Sequence, residues 1–196
     1  MVRTSQRMVD FDREEFDVAI RVGGGTYPGQ RAVYLMADLS FPVCSPRLLR
    51  GRGAPRKPED LRHHTLLHDW ADSREQYAPN WRNWLRHAKV PGVDADRGPG
   101  FSDTGMAIQA AIAGQGVALG RRSLVFDDLK AGYLVRPFGP VMPAPFSYYL
   151  VYPKTVVERD KVRSFREWLL NGICQDSAEK SWPRATSERR ATSHVE

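Results

Sequence analysis

Strands and helices alternate along most of this chain, and that alternation predicts an α/β fold built in packed layers. Three stretches carry the prediction. DVAIRV at Asp17–Val22 is a β-prone apolar run that opens onto the loop GGGTYPG. FSDTGMAIQAAIAGQGVALGRR at Phe101–Arg122 reads as a polar helix start, an Ala-rich helix, a glycine break and a short apolar strand. FSYYLVYP at Phe146–Pro153 alternates as a long strand does and stops at its proline.

In chain order, Met8–Phe16 predicts a short helix ahead of the Asp17–Val22 strand. Arg31–Ser40 predicts a strand with Val33, Leu35 and Leu39 on one face, and Phe41–Cys44 continues it. Ser45 and Pro46 are residue types that cap and open a one-turn helix. Pro58–Leu61 predicts another short helix, and Thr65–His68 a short strand. Trp81, Trp84 and Leu85 fall at i, i+3 and i+4, so Asn80–His87 predicts an amphipathic helix whose tryptophans anchor a core. Lys89–Gly100 is a Pro/Gly/Asp loop.

Ala107, Ile108, Ala111 and Ile112 give the next helix one apolar stripe, ended by Gly114 and Gly116. Val117–Leu119 is a short buried strand. Ser123 is placed to cap a helix that runs to Lys130 and closes at Gly132, and Tyr133–Phe138 predicts a strand. Asp160–Leu170 predicts the last helix, with Val162, Phe165 and Leu169 inward and Gly172 as its terminator. Gln175–Glu196 is polar and aperiodic, a disordered tail.

A chain of 196 residues with 41% apolar content can bury a real core. No apolar run reaches the length of a bilayer span, and no apolar leader is evident. Cys44 and Cys174 lie far apart, which suggests reduced thiols in a cytoplasm rather than a disulfide framework. The net charge is +6, and Ser45–His64 alone holds six basic residues against Glu59 and Asp60. That stretch carries Gly51, Gly53, Pro55 and Pro58 and no aromatic residue, so it reads as a solvated surface segment.

The segments FDREEFDVAIRVGGGTYPG, FPVCSPRLL at Phe41–Leu49, FSDTGMAIQAAIAGQGVALGRR, FSYYLVYP and FREWLL at Phe165–Leu170 occur in a familiar order. The chain resembles the C-terminal effector-binding domain of LysR-type transcriptional regulators, in the branch of the glycine-cleavage activator and the β-lactamase-gene activator. The resemblance runs from about Val9 to Ile173. It implies a two-lobed periplasmic-binding-protein-like fold with a small effector, anionic or amino-acid-like, in the interlobe cleft. Residues 1–40 and 150–174 would form a partial lobe I and 41–149 lobe II. The family's helix-turn-helix, linker helix and opening strands have no counterpart here, so lobe I is expected to be incomplete. Partners implied are a small-molecule effector and a second copy or a full-length homologue, with DNA reached only through the missing domain. A stand-alone interaction fragment or a non-functional remnant is the alternative. No membrane partner, cofactor or metal is implied.

Ser102, Asp103 and Thr104 sit where capping side chains belong, and the same helix start would offer N–H groups to a carboxylate. The resemblance makes Phe101, Ser102, Asp103 and Thr104 effector contacts: an aromatic wall, hydroxyls and an anion site. Arg21 ends a strand before Gly23, where it can fork onto a carboxylate or pair with Asp10, Glu14 or Asp17. The resemblance puts this loop at the cleft. Tyr148 on the return strand would supply a phenol, and Tyr149 points to the other face, so one of the two is directed inward.

Catalysis finds no support. Gly23-Gly24-Gly25-Thr26 fits neither phosphate-loop spacing. His63, His64 and His68 lack a carboxylate or cysteine to complete a metal set. No G-x-S-x-G elbow is present, and the adjacent pairs Asp127–Asp128 and Glu14–Glu15 diverge on their helices.

Overall fold

The computed structural model describes residues 2–3, 9–70, 79–156 and 159–178. The chain divides into two units: Met1–Asp38 with Pro145–Lys180, here unit 1, and Leu39–Ala144, here unit 2.

In unit 1, β1 (Ala19–Gly23) pairs antiparallel with β6 (Met142–Pro153), Ala19 opposite Val151 and Gly23 opposite Ser147. β6 lies between β1 and β2 (Gln30–Val43) in the sheet. Side chains alternate across a strand, so Val33 and Leu35 of β2 share a face with Tyr148, Leu150 and Tyr152 of β6. That face is covered by α4 (Asp160–Ala178), which presents Val162, Phe165, Leu169, Leu170 and Ile173 at helical spacing. Beside them lies a cavity of about 650 Å³, lined in part by Phe16, Val18, Ile20, Val162 and Phe165.

Unit 2 is built around the rest of β2 with β5 (Val117–Arg121), β3 (Leu66–Asp69) and β4 (Gly100–Phe101), in the order β2-β5-β3-β4. β2 and β5 are antiparallel, while β3 runs parallel to both β5 and β4. Both faces of this sheet are covered. Leu67 and Ala118 pack with Ile108, Ala110 and Ala111 of α2 (Thr104–Ile112) and with Val125 and Leu129 of α3 (Arg122–Ala131). Their neighbours Leu66 and Val117 point the other way, into Trp81, Trp84 and Leu85 of α1 (Trp81–His87). The indole N–H groups are satisfied: Trp81 Nε1 donates to the Leu67 carbonyl at 3.1 Å and Trp84 Nε1 to that of Pro140 at 3.2 Å. Asn80 caps α1 by accepting from the Asn83 N–H at 2.8 Å.

Several expectations are corrected. Residues 11–13 form a turn and not part of a helix. Asp10 dictates this: its carboxylate accepts from the Asp12 N–H and its carbonyl from Arg13 and Glu14, a local turn that competes with a helix. Ser123 is not a cap. β5 runs directly into α3, whose N-cap position is Arg121, without a capping side chain. Tyr133–Phe138 is no strand but has only isolated bridge positions, Val135 pairing with Cys44. The N–H groups of Tyr133 and Leu134 are spent on the Asp128 carbonyl at the end of α3, and Pro137 has none to give. Gly172 does not end α4, which runs on to Ala178 and takes in the first residues of the expected tail. An exposed helical glycine costs only about 1 kcal/mol against alanine, too little to stop a long helix. Residues 179–196 of that tail lie outside the described residues.

Candidate effector-binding site

The carboxyl ends of β3 and β4 meet the N-terminus of α2. Parallel strands ending beside a helix start make the usual ligand crevice of an α/β sheet. β3 ends in Asp69, which lies opposite Phe101 of β4 in the parallel register. Thr104 Oγ1 donates to Asp69 Oδ2 at 2.7 Å, tying the helix start to the strand end. Asp103 is the N-cap and accepts from the Met106 N–H at 3.1 Å. With Met106 capped and Ala107 bonded to the Asp103 carbonyl, the N–H groups of Thr104 and Gly105 stand outside the helical ladder. Ser102 is exposed, and Phe101 is half-buried against the α2 core.

Trp70 follows Asp69 and is 57% exposed. Its N–H donates to the Phe101 carbonyl at 2.8 Å, and its ring lies against Gly100, where a Cβ would come within 2.1 Å of it. Glycine at 100 thus leaves room for the indole in this position. Asp69 and Trp70 were not singled out in the sequence. The legible signal is their place immediately after the predicted strand Thr65–His68.

In unit 1, Arg21 lies opposite Tyr149 and shares its face. Tyr149 stacks edge-on with Tyr27 and Tyr34 at centroid distances of 6.2 and 5.8 Å. Gly25, at φ 85°, leaves room for the Tyr149 ring, and Gly23 for the Tyr27 hydroxyl. Burial pushes the Tyr27 phenol up, and the Arg21 charge opposes that shift. The carboxylates expected as partners for Arg21 hold other cations: Asp17 holds Lys161 at 2.7 Å and Arg159 at 3.4 Å, Glu14 holds Arg3 at 3.3 Å, and Asp10 holds Arg13 at 3.5 Å. Tyr148 lies on the opposite face, packed on the cluster beneath α4. The structure therefore groups Tyr149, and not Tyr148, with Arg21 and the glycine loop.

Strand-end polar groups beside a helix start, on a sheet sheathed by helices, are the arrangement of ligand-binding α/β domains. Residues 1–173 match the LysR substrate binding domain, and the chain belongs to that family. The glycine cleavage system transcriptional activator of Escherichia coli K12 is 39% identical over 169 residues, which cover 86% of this chain and 53% of that protein. Its homolog from Haemophilus influenzae is 32% identical over 166 residues, covering 85% and 53%. The chain spans about half the length of the curated relatives it matches. The effector domain of the transcriptional regulator AmpR of Pseudomonas aeruginosa superposes with a TM-score of 0.65 at 29% identity, covering 88% of this chain and 79% of that one. The fold is the periplasmic-binding-protein-like fold of LysR effector domains.

Proposed function

We propose that this chain is the effector-sensing part of a LysR-type transcriptional regulator, a cytoplasmic non-enzyme that takes up a small amino-acid-like molecule. The contacts in unit 2 are Phe101, Ser102, Asp103 and Thr104, joined by Asp69 and Trp70. Unit 1, taken by itself, offers Arg21, Gly23 and Tyr149 as candidate contacts. The observation that carries the reading is the Thr104–Asp69 hydrogen bond at the start of α2. It ties a carboxylate to a helix start whose first N–H groups lie outside the helical ladder. A plain dianion would be repelled by Asp69, whereas a zwitterion satisfies both: its carboxylate at the helix start, its ammonium at Asp69. DNA contact in the whole regulator fits a helix-turn-helix domain, which the names of relatives such as DsdC of Escherichia coli K12 print.

The test is a thermal melt against a panel of amino acids, purines and aromatic acids. A ligand at a hundredfold excess over its Kd stabilises the native state by about 2.7 kcal/mol. One amino acid should raise the midpoint, and Ser102→Ala and Thr104→Val should reduce the rise. A cooperative melt moved only by purines or simple dianions would overturn the amino-acid class.

A second reading, an interaction module that pairs with a like chain or a full-length homologue, is favoured by the β1 edge. Among the described residues β1 pairs only with β6, and Ile20 and Val22 on it are 51% and 44% exposed. Concentration-dependent mass by light scattering would support this reading, and a strict monomer would sink it.

A further inference from the structure

We propose that the arginine-rich segment of unit 2, from Pro46 to His63, is a docking surface for the phosphate backbone of duplex DNA. The segment is held by two 3-10 turns, Pro46–Leu49 and Pro58–His63. Ser45 caps the first, and Asp60 anchors the second by accepting the backbone N–H groups of Arg56 and Lys57 at 3.0 and 3.1 Å. Its apolar residues face inward: Leu61 is fully buried, and Leu48 and Leu49 pack on the tryptophan cluster. Arg47, Arg50, Arg52, Arg56, Lys57 and Arg62 are left outside, all exposed. Among the described residues none of the five arginines forms an ion pair, whereas Arg3, Arg159 and Lys161 of unit 1 each face a carboxylate.

Ordered, exposed arginines that form no ion pair among the described residues, in a segment whose six cations outnumber Glu59 and Asp60, describe a surface for an anion, and the surroundings select which one. Arginine forks match phosphate oxygens two at a time. The segment has no aromatic side chain to stack unpaired bases, which disfavours single strands. It exposes no large apolar residue, so it lacks the core of a protein–protein interface. A polyanionic duplex needs neither. The argument rests on charge and exposure and is independent of the effector site.

The test is fluorescence anisotropy of a labelled duplex of arbitrary sequence, roughly 30 base pairs, titrated with the whole chain from about 50 to about 200 mM KCl. Six phosphate contacts predict a slope of log affinity on log salt of about −5. The triple variant Arg50→Gln/Arg52→Gln/Arg56→Gln should flatten the slope by about 3 and weaken binding at least tenfold at the lower salt. These side chains are exposed and form no ion pair, so the variant should melt as the parent does. A control of equal charge change, Arg13→Gln/Arg31→Gln/Lys154→Gln in unit 1, should lose far less. Equal losses in the two variants would show a net-charge effect and overturn the assignment, as would failure of the parent to bind at the lower salt. A polyglutamate peptide that bound as tightly and was lost in the same variant would reassign the surface to an acidic protein.

Discussion

Unit 2 covers its sheet on both faces, and unit 1 is known to be covered on one. In unit 2, successive residues of β3 point into different cores, Leu66 to the tryptophans and Leu67 to α2 and α3. In unit 1, one face of β6 packs under α4 while the other carries Tyr149 with Tyr27 and Tyr34, the last 54% exposed. The difference follows strand direction. Parallel pairs need helical crossovers that sheathe both faces, and β4–α2–β5 is such a crossover. Antiparallel pairs such as β1–β6 carry no such requirement. Unit 2 should therefore hold most of the packing energy, and unit 1 should be more open to local unfolding.

Trp84→Ala tests this hardest. It removes a fully buried indole from the centre of unit 2 and should cost about 3–5 kcal/mol, read from the urea midpoint. A smaller loss than that from Leu150→Ala would reverse the ranking. Leu67→Ala and Leu150→Ala then compare one chemistry in two surroundings. Both side chains are essentially fully buried, and each truncation should cost about 2–5 kcal/mol. Leu67 should fall at the upper end because it sits in a cluster with buried residues of the sheet, α2 and α3. Leu150 should fall at the lower end because its cluster adjoins a cavity of about 650 Å³ and has room to collapse. Equal losses would erase the contrast between the units.

The smallest effect concerns protons. Burial holds the His64 imidazole below its ordinary value of 6.5, and its Nε2 has no hydrogen-bond partner among the described residues. The unfolded chain therefore protonates first. The stability contributed by the neutral ring is present above about pH 6.5 and is lost as pH falls below it. His64→Gln should flatten that part of the curve of stability against pH. An unchanged slope would take His64 out of the balance.

Sequence alone determined what depends on near neighbours. The 3.6-residue spacing of Trp81, Trp84 and Leu85, and of Val162, Phe165 and Leu169, marks faces that are buried in the structure. The Asn80 and Asp103 side chains close their helix starts within three residues. The ordered motifs were enough to place the chain in its family. Tertiary structure decided what depends on pairing at a distance. Alternation separates Tyr148 from Tyr149, but only the position of α4 shows which of them is covered. Tyr133–Phe138 has the residues of a strand, yet its first N–H groups are taken by Asp128. Asp69 and Trp70 acquire their place from the register of β3 on β4, set by residues thirty positions away. Periodicity is a local property of the chain, whereas strand order and register are fixed by contacts between segments that only folding brings together.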